Sequence, residues 1–457
     1  MSESSSVPPT VRPATGRPRA PSISDAITQA PQNTNAQDDG KSVSDGGNSH
    51  SSGRPTSTPS QTQSQAEDEA ENERYRSQGI LRDLVTFRWM TAPASSAKLA
   101  GIFVLAYLNW NFFTPDTPNP FRPFLFLSHQ VDPTSVLLSS KSVTQAADSF
   151  RIALRSFGSP SSTPTELLRY QKGYLDLCFL AFYVVVFSFI RQTTTIYMFK
   201  PFAKWWGIKG EAKQSRFTEQ GYSFLYWGTS ASLGLYVMSF QDSWWYNLEH
   251  LWIEYPHWQM RPELKVYYLL QASYWLQQAL VMLLRLEKPR KDYYELIAHH
   301  LVTLWLIFWS YLINLTMIGT TVFVCMDIPD TFLALAKGLN YMELDTLATG
   351  VFAMFMVVWT YFRIYLSAKT LWSVWFQFDL IPDHTKEWNP EKGWWLVPWM
   401  KYQIFAPLFL LLLLNLFWYY LSWRVLIRAL KGVVADEREE DDDAPEGQNK
   451  AEGKKDK

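Results

Sequence analysis

Long apolar runs alternate with polar, charged or proline-rich segments along this chain. The apolar runs fall at about 95–113, 174–196, 219–240, 264–284, 293–314, 316–337, 346–366 and 400–423. Most hold about 20 residues, enough for a helix rising about 1.5 Å per residue to cross a hydrocarbon layer about 30 Å thick. Backbone groups inside lipid must bond to each other, and a helix does that within one segment. The predicted class is therefore an all-α polytopic membrane protein with about eight transmembrane helices. The fifth and sixth runs are separated by a tight turn, so they form an antiparallel hairpin.

The polar segments divide the chain further. Residues 1–75 are rich in Ser, Pro, Thr, Gln and Asp. They bury too little apolar surface to offset chain entropy and are expected to form a disordered tail. They carry no apolar run, so no signal peptide is expected. Residues 76–173 hold a basic, apolar segment suited to lying on a membrane surface, then the first span and a proline-rich loop. Residues 174–430 contain the remaining spans. Residues 431–457 form an acidic tail around the run DEREEDDD at 436–443, expected to be solvated.

Charge adds an orientation. The formal net charge of −1 hides clusters of Lys and Arg at 197–216 and 285–292 and at Arg424, Arg428 and Lys431. With alternating spans these fall on one side, which the positive-inside rule places in the cytosol, together with both termini. The loops at 114–173 and 369–399 then face the lumen. Balanced charge gives no reason to expect a nucleic-acid partner. Aromatics are 16 % of the chain, with 21 Trp. The segments Trp244–Gln259 and Trp372–Trp395 read as aromatic belts at the membrane interface. Cys178 and Cys325 lie in separate apolar segments, so no disulfide framework is expected. The sequon Asn314-Leu315-Thr316 sits in the tight turn of the hairpin, too close to the membrane for glycosylation to be expected.

The hairpin carries the chemistry. Its first helix bears His299 and His300 and its second bears Asp327 and Asp330. Each ionisable group inside a span costs roughly 2.5–3.5 kcal/mol on insertion scales, so four in one hairpin point to a function. His299 precedes the turn by about as many residues as Asp327 follows it, which puts the two at similar depth near the cytosolic rim. Asp327 and Asp330 share a helix face, as do Glu295 and His299. Imidazole titrates near neutrality and suits proton removal. A carboxylate bonded to its other nitrogen would fix the tautomer. Nucleophilic attack by one imidazole on the substrate, giving a covalent intermediate, is the other route, and the residues alone do not choose between them. His299 is slightly favoured as the central histidine. Gln277 and Gln278 line the site or bond between helices. Lys288, Arg290 and Lys291, with Lys200, Lys204, Lys209, Lys213 and Arg216, could bind phosphates or simply set the topology. Arg363, in the seventh span, either snorkels or pairs with a carboxylate. His129, His250, His257 and His384 fall in lumenal loops, away from the site.

The HH at 299–300, the M-D-x-P-D at 326–330, W-S-Y at 309–311, A-K at 336–337 and N-Y at 340–341 resemble the Lag1 motif of ceramide synthases. These belong to the larger TLC (TRAM, Lag1, CLN8) family. The resemblance covers about residues 170–430 and points to fungal members, because the homeobox-like insert of many animal members has no counterpart. It implies a six-helix TLC bundle around a cytosol-facing cavity, with His299, His300, Asp327 and Asp330 catalytic and Asn340 among the substrate-binding residues. It implies N-acylation of a sphingoid base by a long-chain acyl-CoA, giving ceramide and CoA. No tightly bound cofactor and no metal are expected, with acyl-CoA as co-substrate. The expected location is the endoplasmic reticulum membrane, which suits the final KKDK, similar to a dilysine retrieval address. The expected partners are membrane lipids, a small single-pass accessory subunit and a second copy in a dimer.

Two rival readings compete. A membrane di-iron enzyme needs about eight ligands in several His boxes, whereas this chain has seven His in all. A single metal on the two histidines and two aspartates is allowed by ligand type. A TLC-fold lipid-binding or translocon-associated protein would need no His pair facing an aspartate pair.

Overall fold

In the computed structural model, residues 77–131, 168–286 and 293–430 are described. The tail at 1–75, Lys288, Arg290, Lys291 and the acidic tail lie outside these residues, as does the side chain of Glu295. The helices are α1 (Ile80–Val85), α2 (Pro93–Phe113), α3 (Arg122–Leu125), α4 (Asp176–Thr193), α5 (Lys200–Trp206) and α6 (Glu211–Met238). Then follow α7 (Pro262–Leu283), α8 (Tyr293–Leu312), α9 (Thr316–Tyr341), α10 (Asp345–Trp359), α11 (Ser367–Phe376) and α12 (Met400–Leu430). Wider π-helical stretches, Thr194–Phe199 and Thr360–Leu366, join α4 to α5 and α10 to α11. Two two-residue strands, Gln130–Val131 and Arg169–Tyr170, pair antiparallel.

Each of the eight apolar runs is helical, and the chain is an all-α membrane protein. Among the described residues, four continuous helical segments are long and apolar enough to cross a membrane: Asp176–Trp206, Thr316–Tyr341, Asp345–Phe376 and Met400–Arg428. Among the others, α6 opens with Glu211, Lys213, Arg216 and Glu219, and α7 with Glu263 and Lys265, which lowers their mean hydropathy.

α8 and α9 form the expected hairpin, but they do not pack mainly on each other. α9 lies chiefly against α6 and α10, and α8 chiefly against α7. The reason is side-chain size. On α6, Ser230 and Gly234 are four apart and buried, a small-residue stripe that lets α9 come close. A Cβ on Gly234 would stand 2.6 Å from the Tyr267 hydroxyl and 2.8 Å from Val324. Glycine is therefore required where α6, α7 and α9 meet.

The end of the bundle around the α8–α9 turn is closed by the two aromatic loops. Trp252, Tyr246 and Tyr255 are almost wholly buried there, packed with Ile313, Leu315, Phe378 and Leu396. The Trp252 indole donates to Ser373 Oγ at 2.8 Å and the Tyr255 hydroxyl to the Ile313 carbonyl at 2.9 Å. This corrects the belt reading for Tyr246, Trp252 and Tyr255. Trp244 and Trp245 are exposed as a belt would be, whereas Trp252 and Tyr255 are core. Belt and core use the same residue types, so composition does not separate them.

Asn314 shows why its sequon is a turn element. It adopts φ 62, which asparagine tolerates better than most residues, and it is buried. Its Nδ2 donates to the Gly393 carbonyl at 3.0 Å. Asn314→Gln is expected to lose this bond and about 1 kcal/mol of stability, seen as a lower thermal midpoint. Glycosidase treatment of the parent protein should leave its electrophoretic mobility unchanged.

Candidate active site

Asp327 sits midway along α9 and is 1 % exposed. Its Oδ2 accepts from Ser230 Oγ of α6 at 2.6 Å and from Gln271 Nε2 of α7 at 2.7 Å. The Gln271 amide nitrogen also lies 3.1 Å from the Tyr267 hydroxyl, and its Oε1 accepts from the Tyr226 hydroxyl at 2.8 Å. Tyr226 in turn stacks on Tyr274. One carboxylate oxygen of α9 is thus held by two other helices, α6 and α7. The other, Oδ1, is buried and has no hydrogen-bond partner among the described residues.

Asp330, one turn along α9, has a different fate. Its Oδ2 pairs with Arg363 Nη2 at 2.6 Å, and the same nitrogen donates to the Met326 carbonyl at 2.9 Å. The guanidinium lies 4.4 Å over the Trp359 ring. Arg363 belongs to the π-helical stretch Thr360–Leu366, a widened turn of the kind often found at functional sites. Arg363 is therefore paired with a carboxylate, one of its two expected fates. Because Asp330 is only partly buried, Arg363→Met is expected to cost a moderate 1–3 kcal/mol, about the range for a lost charged hydrogen bond. A thermal midpoint equal to that of the parent would show that the pair contributes nothing.

The histidines face a different wall. The His299 ring meets Trp275 of α7 and Trp418 of α12 edge-on, both at 5.9 Å between centroids. His300 meets Trp275 at 5.4 Å. His300 Nδ1 lies 2.8 Å from the Leu296 carbonyl. A carbonyl can only accept, so Nδ1 carries the proton and Nε2 keeps its lone pair. The sequence reading placed a direct hydrogen bond between imidazole and carboxylate. In the structure none joins either histidine to either aspartate, because Asp327 is engaged by Ser230 and Gln271 and Asp330 by Arg363.

The link runs through α7. Gln271, which touches Asp327, and Trp275, which touches His299, are four apart on one face, so about 6 Å separates them along the axis. On α12, Asn415 Nδ2 approaches Met326 Sδ at 3.8 Å, and Trp418 lies three residues further on. Both helices thus place His299 about one turn beyond Asp327, towards the level of Asp330. Among the described residues, no group of three or more His, Cys, Asp and Glu is placed to hold a metal ion, and the four named side chains do not converge as one donor set.

Of the other expected residues, Gln277 is wholly buried with both amide atoms unpartnered among the described residues, Gln278 is half-buried, and Asn340 is half-buried in the last turn of α9. Lys204, Lys209, Lys213 and Arg216 are exposed around the α5–α6 junction. His129, His257 and His384 contact Tyr174, the Leu251 carbonyl and Trp394, outside this group. Sequence reasoning missed Ser230, Tyr226, Gln271, Trp275 and Trp418. Gln271 was findable as a polar residue within an apolar helix, whereas the adjacent pair Gln277–Gln278 drew attention instead.

The comparisons bear on this region. The TLC domain model matches residues 216–424, which contain every side chain of the group. The chain is 38 % identical over 302 residues to sphingosine N-acyltransferase lac1 of Schizosaccharomyces pombe, covering 66 % of this chain and 77 % of that one. It is 36 % identical over 283 residues to ceramide synthase LAG1 of Saccharomyces cerevisiae, covering 61 % and 68 %. A sphingosine N-acyltransferase-like protein, FUM17 of Gibberella moniliformis, is 36 % identical over 279 residues, covering 61 % and 71 %. Helices that carry a His pair and an Asp pair around α7 lie inside a stretch shared with these fungal proteins, and the chain belongs to the TLC-domain family of Lag1- and Lac1-type sphingosine N-acyltransferases.

Proposed function

We propose that this protein is a ceramide synthase, transferring the acyl group of a long-chain acyl-CoA to the amine of a sphingoid base. The observation that carries the reading is His299, set between Trp275 and Trp418 one helical turn from the buried Asp327. The amine must lose a proton before it can attack, the tetrahedral oxyanion must be stabilised, and water must be kept from the thioester. A histidine wedged between indoles inside a helix bundle meets the last need. In one route His299 takes the amine proton while the amine attacks the thioester directly. In the other it first displaces CoA as an acyl-imidazole, which the amine then resolves. His300, with its Nε2 lone pair free, stands beside it in either route.

On this reading residues 174–430 are the catalytic unit, acyl-CoA is a co-substrate and no tightly bound cofactor or metal takes part. Its setting is the endoplasmic reticulum membrane with both termini cytosolic, a small single-pass subunit and a dimer, all carried over from the family. The test is the protein purified into lipid nanodiscs with acyl-CoA and dihydrosphingosine, with ceramide and free CoA read by mass spectrometry. Stoichiometric formation of both supports the reading. A folded protein that releases neither sinks it. Incubation with acyl-CoA alone separates the routes, because only the covalent one adds an acyl mass to the protein.

A further inference from the structure

We infer that Asp327 is the subsite for the ammonium of the sphingoid base, with Gln271, Ser230 and Tyr226 as positioning residues that hold it for that purpose. The inference rests on the function proposed above and names which substrate the carboxylate serves.

Three observations carry it. First, a carboxylate whose task is to orient an imidazole would bond to it, and Asp327 bonds instead to Ser230 and Gln271 through Oδ2 alone. Second, Oδ1 is buried without a partner. A buried acceptor left unpaired is costly, and more so when it is charged. An ammonium offers three donors and a compensating charge. Third, the two aspartates differ in their neutralisation. Asp330 has the Arg363 guanidinium at 2.6 Å, whereas among the described residues no cationic side chain forms an ion pair with Asp327. The site therefore keeps one carboxylate with no direct ion-pair partner among the described residues, about one turn of α7 from His299.

The proton ledger closes without further reactants. The bound ammonium gives one proton to Asp327. The free amine forms the N–C bond to the acyl carbon, the bond from that carbon to sulfur or to imidazole nitrogen breaks, and the second amine proton passes to the expelled group, by way of His299 in the direct route. Asp327 returns its proton to solvent as the amide departs. The Gln271 amide and Ser230 hydroxyl fix Oδ2 so that Oδ1 faces the incoming amine.

Steady-state kinetics with each substrate varied in turn tests this. Gln271→Leu and Ser230→Ala are expected to raise KM for dihydrosphingosine by about tenfold or more while leaving that for acyl-CoA within about twofold, the scale of one lost charged hydrogen bond. Asp327→Asn is expected to keep acyl-CoA binding and lose amide formation. Part of that formation should return at alkaline pH, where the amine arrives already deprotonated. A rise confined to the acyl-CoA KM, or equal in both, overturns the inference. Should the variants fail to fold, binding to the unaltered protein decides. Dihydrosphingosine is expected to bind about tenfold or more tighter than its uncharged N-acetyl derivative, and equal binding overturns the subsite. An unaltered protein that makes no ceramide would instead sink the proposed function, so the two failures are distinct.

Discussion

His299→Ala is expected to lower ceramide formation by about a thousandfold or more while the protein still inserts and folds. A positioned general base contributes roughly 10²–10⁴ in rate, and a covalent carrier leaves no substitute when removed. The structure explains why folding should survive. His299 makes ring contacts with Trp275 and Trp418 and, among the described side chains, no hydrogen bond, so truncation removes packing and orphans none of their buried polar groups. His300 differs, because its Nδ1 bonds to the Leu296 carbonyl of its own helix and the truncation merely frees that carbonyl. Steady-state product formation, with size-exclusion and tryptophan fluorescence as folding controls, makes the measurement. A residual rate above about a tenth of the parent value would remove His299 from the chemistry, since a catalytic base is worth far more.

Lys265→Ala is expected to destabilise the protein by about 3–5 kcal/mol, the usual cost of stranding one member of a buried ion pair. Lys265 is wholly buried in the first turn of α7, and its Nζ lies 2.7 Å from Asp176 Oδ1. The same ammonium donates to the Ser128 and Gln171 carbonyls at 2.8 and 2.7 Å. Asp176 Oδ2 accepts from the Gly173 N–H at 2.9 Å and from the Tyr311 hydroxyl at 2.8 Å. One charge pair therefore ties the segments flanking the short strands to α4, α7 and α8. Its loss should lower the thermal midpoint by roughly 10 °C. Adding Asp176→Asn and using methionine in place of Lys265 should recover part of this, because asparagine still accepts from Gly173 and Tyr311 and no charge is left alone. A fall of less than about 2 °C for the single variant would show that the pair does not staple these elements.

The two predictions differ in how far the sequence led to them. His299 was reachable because a His pair inside an apolar run is expensive to keep and therefore conspicuous. Lys265 was not, because one lysine near the start of a span looks like an interfacial charge. Its partner Asp176 lies far away in sequence at the start of another span, where a carboxylate looks equally ordinary. Likewise Ser230 reads as a small packing residue until α9 is placed against it, and Trp418 as one more lipid-facing aromatic until α8 turns His299 towards it. Arg363 was singled out, but which carboxylate it would meet depended on the π-helical turn that carries it.

What the chain determines alone is what one dimension records: where apolar runs are long enough to be helices in lipid, where charge interrupts them, and which of those charges lie in one hairpin. Tertiary structure decided everything that depends on which helix faces which. The Ser230–Gly234 stripe draws α9 onto α6 and away from its neighbour α8, so the imidazole and Asp327 are joined through Gln271 and Trp275 of α7 rather than by a bond of their own. Side-chain size at helix contacts sets those neighbours, and size matters only once a partner is present.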